Sequence, residues 1–173
     1  MASTPDAWLE VLSERLDARH SRMSTLRSYL DGSAPLPEGA EGCRDAYARF
    51  QKKARTNFGE LIVEAVVERM SVSGFRVGDS QSDDDAARRI WRRSRLGTGS
   101  DVHADMLGLS VGYVMASGVA GRAVLTVERP EQVIVEADPT APDSALAALK
   151  VYRARGEDFA YVHTRSEERR VGK

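Results

Sequence analysis

Apolar residues recur at helical spacing over roughly the first 109 residues of the chain, and the pattern then changes to short runs typical of strands. The first helical segment begins at Thr4-Pro5, an N-cap followed by proline at the first helical position, and Gly32 ends it. Its apolar residues are spaced by 4, 4, 7, 3 and 4 positions, which predicts one helix with a single apolar stripe. The stripe consists of Trp8, Leu12, Leu16, Met23, Leu26 and Leu30.

A loop rich in proline and glycine, residues 33–42, separates this helix from the next two. The second helix is predicted over residues 43–54. Asn57 with Glu60 three positions later is a capping signal, with asparagine in place of the usual serine or threonine, and it predicts the start of a third helix. The wide apolar face of this third helix consists of Leu61, Ile62, Ala65, Val66 and Met70.

The third helix is followed by a glycine stop at Gly74, a short strand over residues 75–77 and a turn at Gly78-Asp79. Residues 82–85 cap a fourth helix, which the glycines of residues 97–99 end. A short fifth helix, capped by Ser100 or Asp101, reaches Leu109. The core contacts predicted for the fourth helix are Ile90, Trp91 and Leu96.

The remaining chain predicts antiparallel strands. Helices first and antiparallel strands second predict an α+β fold. Three strands cover residues 111–116, 123–128 and 132–136, with a connection over residues 117–121 and Pro130 as a separator. The turn signals Asp138-Pro139 and Pro142-Asp143 then precede a hairpin of residues 148–153 and 159–163 around Gly156-Glu157.

The last residues, 165–173, have neither an apolar period nor a helix cap. They are typical of a read-through tail on a truncated coding sequence, and a disordered charged tail is the alternative. We therefore expect residues 1–164 to form the folded part, helical over 4–109 and strand-rich over 110–164. A read-through tail implies that a C-terminal part is missing.

Composition and charge exclude several classes of protein. The 173 residues carry a net charge of −1, so the chain as a whole has no attraction to nucleic acid or anionic membranes. Cys43 is the only cysteine, which excludes an intrachain disulfide. The longest uncharged run, residues 106–121, is shorter than the roughly 20 apolar residues that span a bilayer. With no secretory signal in residues 1–10, we expect a cytoplasmic protein with no membrane partner.

Three groups of polar residues have the residue types of a functional site, but each has a simpler structural explanation. Residues 83–85 are all aspartate, lack the spacing of a calcium loop and are expected to cap the fourth helix. Residues 97–100 lack the Gly-Lys-Ser/Thr of a phosphate loop. The histidines form no catalytic or ligand spacing; they are His20, His103 and His163. The sequence therefore predicts no catalytic, cofactor-binding or metal-binding residue.

The fourth helix carries a strong local charge. Residues 88–95 contain five arginines around Ile90 and Trp91. Arg88 and Arg92 can pair with Asp84 or with other neighbours at helical spacing. Because arginine is enriched at protein interfaces and also binds phosphates, we expect a solvated or subunit-facing helix, with a DNA site as the alternative. The candidate contact residues are Arg88, Arg92 and Arg95.

A set of short motifs follows in a fixed order along residues 4–164. They are Tyr29-Leu30-Asp31-Gly32, Pro35-Leu36, Asn57, Glu68-Arg69-Met70, Gly74-Phe75-Arg76, Ile90-Trp91, His103, Gly112-Tyr113-Val114-Met115-Ala116, Asp138-Pro139 and Leu149-Lys150-Val151-Tyr152. In order and spacing this set resembles the portal proteins of tailed phages that infect actinobacteria. The chain departs from the family pattern at Ser110, where a glycine is common, and at residues 93–95, where an asparagine is common.

The resemblance implies a structural protein without catalytic residues or cofactors. Portal subunits form a ring, typically of twelve copies, at the capsid vertex through which DNA is packaged and ejected. The implied partners are further copies of the chain, major capsid and scaffold proteins, the terminase large subunit, head-completion proteins, and DNA that passes without sequence specificity. The chain corresponds to the N-terminal, wing-like part of a subunit, expected in the virion and, during assembly, in the host cytoplasm.

Two other functions belong to different classes. A small nucleic-acid-binding module would use the basic helix, and replacing Arg88, Arg92 and Arg95 with alanine would then reduce its affinity for DNA. An enzyme is disfavoured, because no acid, base or metal cluster stands out in the sequence.

Overall fold

The chain folds as an α+β protein, as the sequence predicts. The structure is a computed structural model and describes residues 4–35, 44–54, 56–94, 96, 100–164 and 168–172. The helices are α1 (Pro5–Leu30), α2 (Arg44–Ala54), α3 (Phe58–Val67), α4 (Asp85–Arg93) and α5 (Ser100–Leu109). The strands are β1 (Tyr113–Val119), β2 (Arg122–Glu128), β3 (Val133–Asp138), β4 (Ala141–Ala154), β5 (Glu157–Thr164) and β6 (Glu168–Gly172).

The strands form two sheets. β1 pairs with β2, and the second sheet has the order β3-β4-β5-β6 with every neighbouring pair antiparallel. By its internal packing the chain divides into unit 1, Met1–Met23 with Glu128–Lys173, and unit 2, Ser24–Val127. These units do not follow the change of pattern at residue 109, because a sheet with one apolar face is covered by a helix from elsewhere in the chain.

Unit 1 has its core between α1 and the second sheet. Leu12 of α1 packs with Ala147 and Leu149 of β4 and with Ala160 and Val162 of β5. Leu149 and Val162 are register partners and are fully buried. Burial of each such side chain contributes roughly 1.5–3 kcal/mol. The predicted stripe of α1 is confirmed at its buried positions, which are Leu12, Leu16 and Met23.

Polar contacts fix α1 on the second sheet. The Arg19 guanidinium donates hydrogen bonds to the carbonyl oxygens of Pro130 and Val133. One turn earlier, Arg15 forms an ion pair with Glu136. Arg19 thus provides donors to two backbone carbonyl groups, one at the start of β3 and one in the turn before it.

In unit 2 the last turn of α1 packs against α5. The Arg27 guanidinium lies 2.9 Å from the Asp105 carboxylate, and both side chains are largely withdrawn from solvent. A Cβ added to Gly108 would lie 2.9 Å from a methyl carbon of Leu30, so a larger residue here would require the end of the Leu30 side chain to shift. Leu109, the last residue of α5, is fully buried.

Both long hairpins close with two-residue turns. Ala120 and Gly121 join β1 to β2 with φ values of 49° and 72°. Arg155 and Gly156 join β4 to β5 with φ values of 54° and 83°. Positive φ at both central residues is the pattern of a type I′ turn, whose twist matches that of the strands. The predicted connection over residues 117–121 is therefore too long, because the strands continue into the turn.

Three other predicted boundaries are wrong. The turn signals at Asp138-Pro139 and Pro142-Asp143 correspond to a single tight turn before β4 starts at Ala141, and in it the Asp138 carboxylate accepts a hydrogen bond from the Thr140 backbone N at 2.9 Å. α3 ends at Val67 rather than near Gly74. Residues 75–77 are not a strand, because the Phe75 carbonyl bonds to the backbone N of Asp84 at 2.7 Å instead of to a neighbouring strand.

The ends of several predicted elements also move. The described second helix begins at Arg44, and both Cys43 and residues 97–99 lie outside the described residues. β6 pairs with β5 where the sequence predicts no element, since backbone pairing requires no apolar pattern. The interpretation of residues 165–173 as a read-through tail stays a prediction. Within the described ranges, no helix combines the length and the apolar character that crossing a membrane requires.

Candidate interaction surfaces

The acidic residues before α4 cap that helix, as predicted. The Asp84 carboxylate accepts a hydrogen bond from the backbone N of Ala87 at 2.8 Å. This satisfies one of the free N–H groups of the first turn and places negative charge at the positive end of the helix dipole. Arg88 forms its ion pair with Asp83 rather than with Asp84, because the Asp84 carboxylate is directed at the helix backbone.

One side of α4 is fixed to the rest of unit 2. The Trp91 ring lies 5.5 Å from the Phe75 ring, measured between centroids. The Ser94 hydroxyl donates to the Ile90 carbonyl oxygen and accepts a hydrogen bond from the backbone N of Leu125 in β2, both at 2.8 Å. The predicted core contacts of α4 are confirmed as half-buried side chains; they are Ile90, Trp91 and Leu96.

The opposite side of α4 presents arginines to solvent. Arg89, Arg92 and Arg93 are exposed, and at about 100° per residue they share one side of the helix. We call these three residues the arginine face. Of the predicted contact residues, Arg92 lies on this face, Arg88 is drawn toward Asp83, and Arg95 lies outside the described residues. A role for Arg88, Arg92 and Arg95 in subunit or phosphate contacts stays a prediction.

The start of α3 is fixed to the end of α1. The Asn57 side-chain oxygen accepts a hydrogen bond from the Glu60 backbone N at 3.2 Å, which confirms the predicted cap. The Asn57 amide nitrogen donates to the Leu30 carbonyl oxygen at 2.8 Å. A Cβ added to Gly59 would lie 2.6 Å from the Tyr29 carbonyl oxygen, so the two backbones are in close contact.

The apolar side of α3 is exposed, contrary to what a wide apolar face ordinarily implies. The side chains of Phe58, Leu61, Ile62 and Val66 are 45–65% exposed. We call these four residues the α3 face. Val67, on the other side of the helix, is buried, and α3 packs against α5. A helix that is apolar on two sides requires two partners, and the described residues of unit 2 provide only one of them.

An acidic row borders the α3 face. Glu60, Glu64 and Glu68 follow one another at a spacing of four residues and are exposed. On a helix this spacing places them in one line, next to the line that contains Leu61. Glu60 also accepts a hydrogen bond from the Asn57 side chain at 2.7 Å. The arrangement is an apolar strip with negative charge along one edge.

Unit 1 contains a surface cleft of about 360 Å³ between α1 and the second sheet. Its lining includes His20, Tyr152 and Phe159, and the exposed pair Arg153 and Asp158. Ser13 and Asp17 also line the cleft, but among the described residues no hydrogen bond joins either side chain to His20. Elsewhere, the His163 ring stacks on Tyr161 at 6.4 Å. Across the part of the chain that the structure describes, no cluster of three or more His, Cys, Asp or Glu could hold a metal ion.

The sequence interpretation identified Leu61, Ile62 and Val66 as apolar positions of one helix face, but it did not predict that this face is exposed, although a signal was present. The positions 63 and 67 are valine as well, so α3 is apolar on the side opposite Leu61 and Ile62 too. The arginine face was indicated by the charge of residues 88–95, but the sequence grouped Arg92 with Arg88 and Arg95 rather than with Arg89 and Arg93. The contacts of Trp91 with Phe75 and of Ser94 with Leu125 fix the rotation of α4, and that rotation decides which arginines are exposed.

Comparison with known proteins gives two relatives. No model of a protein family matches the chain, and no solved structure matches it. The portal protein of Mycobacterium phage D29 is 32% identical over 90 residues, which is 51% of this chain and 16% of that protein. The portal protein of Mycobacterium phage L5 is 32% identical over 81 residues, which is 47% of this chain and 15% of that protein. The match thus spans about one sixth of the length of these curated relatives, and the resemblance to phage portal proteins is confirmed.

Proposed function

We propose that this chain, which is similar to phage portal proteins, is part of a portal subunit and has a structural role in the virion. The observation that carries the proposal is the 32% identity to two mycobacteriophage portal proteins over about half of the chain. The α+β fold and the order of motifs support it. In this role the chain assembles with further copies into a ring at the capsid vertex through which DNA enters and leaves.

The physical requirements of such a ring agree with the surfaces of unit 2. A ring is built from head-to-tail contacts, so each subunit presents two different and complementary surfaces. α3 and α4 are both short helices whose starts are fixed by side-chain caps, and each presents a chemically distinct face to solvent. The other proposed partners are major capsid and scaffold proteins, the terminase large subunit, head-completion proteins and DNA.

The proposal is tested by locating the chain in particles of the phage that encodes it. Purified virions are labelled with a gold-conjugated antibody raised against residues 100–164 and imaged by electron microscopy. We expect label at a single vertex, in particles opened enough to admit the antibody. Label over all vertices, or absence of the chain from virions by mass spectrometry, contradicts the proposal.

A second candidate function rests on the arginine face. Three exposed arginines on one side of α4 could neutralise phosphates of a nucleic acid. If so, fluorescence anisotropy with a labelled DNA duplex should show binding at low salt. Replacing Arg89, Arg92 and Arg93 with alanine should then reduce the salt slope by about one per lost phosphate contact. No binding at low salt would exclude this candidate and leave the portal proposal intact.

A further inference from the structure

Two exposed surfaces of unit 2 have complementary chemistry. We infer that the α3 face with its acidic row, in one copy of the chain, docks on the arginine face of α4 in a second copy. The inference rests on the proposed function, because a portal ring needs a head-to-tail contact between identical subunits. It specifies which two surfaces form that contact.

The α3 face has the character of an interface that is open in the single chain. Its four side chains form one strip at positions i, i+3, i+4 and i+8. Tyr29, whose carbonyl oxygen closely faces Gly59 at the start of α3, is a further large side chain that is 59% exposed. Contiguous exposed apolar patches of this kind mark interaction sites on otherwise polar proteins.

Charge identifies the occupant of the α3 face. The acidic row Glu60, Glu64 and Glu68 runs along one edge of the strip, so an arriving surface gains from positive charge on that edge. A second apolar helix with acidic neighbours, such as another α3, would place like charges together. A self-complementary contact of α3 with α3 is therefore disfavoured, and a basic surface is favoured.

The arginine face fits this requirement in a way that lysines would not. The stem of an arginine packs on apolar groups while its guanidinium reaches a carboxylate at the edge. The guanidinium also stacks on aromatic rings, and Phe58 presents an exposed ring on the α3 face. Arg89, Arg92 and Arg93 therefore cover both parts of the α3 surface, the apolar strip and the acidic row.

The two surfaces are held independently in the same subunit. α3 is fixed by Asn57 to the end of α1 and packs against α5. α4 is fixed by Ser94 to β2 and by Trp91 to Phe75. One copy can therefore use both surfaces at once with two different neighbours, which is the condition for a repeating, heterologous contact.

The first experiment measures association of the full chain by sedimentation velocity over a range of protein concentrations. We expect the average mass to rise with concentration and association to weaken as NaCl is raised, because ions screen the charge pairs. Ile62→Asp should abolish association, since it places a charge in the apolar strip. Val77→Asp is the matched control, because Val77 is equally exposed in unit 2 but lies outside both surfaces.

The second experiment exchanges charges. The double variant Glu64→Arg with Glu68→Arg should raise the dissociation constant of self-association at least ~10-fold. The double variant Arg89→Glu with Arg93→Glu should do the same, because each double variant places like charges opposite one another. An equimolar mixture of the two double variants should associate again, since each supplies the surface that matches the other. Combining all four changes in one chain should also restore association. Glu10→Arg with Glu14→Arg, on exposed positions of α1, controls for net charge.

Each other outcome overturns the inference. Circular dichroism establishes that the variants are folded. If the unmodified chain stays monomeric, if only the glutamate exchange weakens association, or if the mixture fails to reassociate, the two surfaces do not form the contact. Association that is blocked by Ile62→Asp but unaffected by both charge exchanges would assign the α3 face to another occupant. The virion labelling above is independent, so the portal role can hold even when this contact fails.

Discussion

At the scale of single residues, backbone geometry explains positions that side-chain type alone does not. Ser110 follows the last residue of α5 with a φ of 68°, in the left-handed region that favours glycine. Ala120 and Arg155 adopt positive φ values in the two hairpin turns, each followed by a glycine. The chain therefore contains strained backbone positions at which replacement by glycine relieves the strain.

Ser110→Gly should stabilise the chain. A non-glycine residue in the left-handed region costs about 1–2 kcal/mol, and part of that gain is offset by the greater freedom of glycine in the unfolded chain. We expect the free energy of unfolding, measured by urea titration, to rise by about 0.5–1 kcal/mol.

Ser24→Gly is the matched control for this exchange. Ser24 is an exposed residue in the interior of α1, where glycine lowers stability by about 0.5 kcal/mol relative to serine. Equal effects of the two exchanges would show that the strain at Ser110 is absent.

Gly59→Ala should destabilise the chain even though Gly59 lies in a helix. Alanine favours a helix over glycine by about 1 kcal/mol. Here its Cβ would lie 2.6 Å from the Tyr29 carbonyl oxygen, a backbone atom that cannot move without displacing α1. We expect a net loss of about 1–3 kcal/mol in the free energy of unfolding, typical of overpacking. Gly118→Ala, where nothing lies within 4 Å of the added Cβ, should change stability little. A stabilising Gly59→Ala would refute the close approach.

At the scale of elements, the ends of the helices are fixed by side chains with more than one task. Asn57 caps α3 through its oxygen and holds the end of α1 through its nitrogen. Asp84 caps α4, while its own backbone N bonds to the Phe75 carbonyl. These contacts, together with those of Trp91 and Ser94 on α4, fix the rotation of α3 and α4, and the rotation decides which side chains form the α3 face and the arginine face.

Asn57→Ala and Asn57→Ser should separate the cap from the amide donor of this residue. Alanine removes the cap together with the donor to the Leu30 carbonyl and the Glu60 carboxylate, and we expect a loss of about 2 kcal/mol, at the upper end for a cap. Serine keeps an uncharged acceptor for the Glu60 backbone N but lacks the amide donor, so a smaller loss is expected. Thermal unfolding followed by circular dichroism gives both values. If the two variants are equally unstable, the amide donor accounts for all of the effect and the cap for none.

At the scale of the whole molecule, the chain consists of two compact units that share α1. Each unit contains one of the two tryptophans, Trp8 in unit 1 and Trp91 in unit 2. Trp8 packs against the unit 1 core, and Trp91 lies beside Phe75 in unit 2. The unfolding of each unit can therefore be followed separately by fluorescence, after replacing the other tryptophan with phenylalanine.

Leu149→Ala should lower the unfolding midpoint reported by Trp8 more than the midpoint reported by Trp91. Leu149 is fully buried in the unit 1 core, and loss of such a side chain costs about 2–5 kcal/mol. Leu109→Ala, an equally buried position in unit 2, should show the reverse preference. Identical shifts of both reporters in both variants would mean that the two units unfold as one.

The pattern of residues along the chain was sufficient to predict the class of fold, the starts of α1, α3 and α4 and the family resemblance, whereas the predicted caps of α5, Ser100 and Asp101, lie within that helix. Helical spacing of apolar residues and the capping patterns at Thr4-Pro5, Asn57 and residues 82–85 are local properties, so they were recovered correctly. The charge of residues 88–95 likewise identified α4 as a basic helix. The motif order that resembles portal proteins is confirmed by two mycobacteriophage relatives.

Which apolar and charged faces are covered depends on tertiary packing. Val67 and Leu61 are both apolar residues of α3, yet one is buried and the other exposed, because α3 packs against α5 and no other described part of unit 2 covers its outer side. The lengths of the hairpin turns also depend on strand pairing. Each pair of strands stays hydrogen-bonded up to a two-residue turn, so the turn is shorter than the sequence pattern indicates. Local spacing reports the amphipathic character of an element, whereas burial depends on residues far away in the chain.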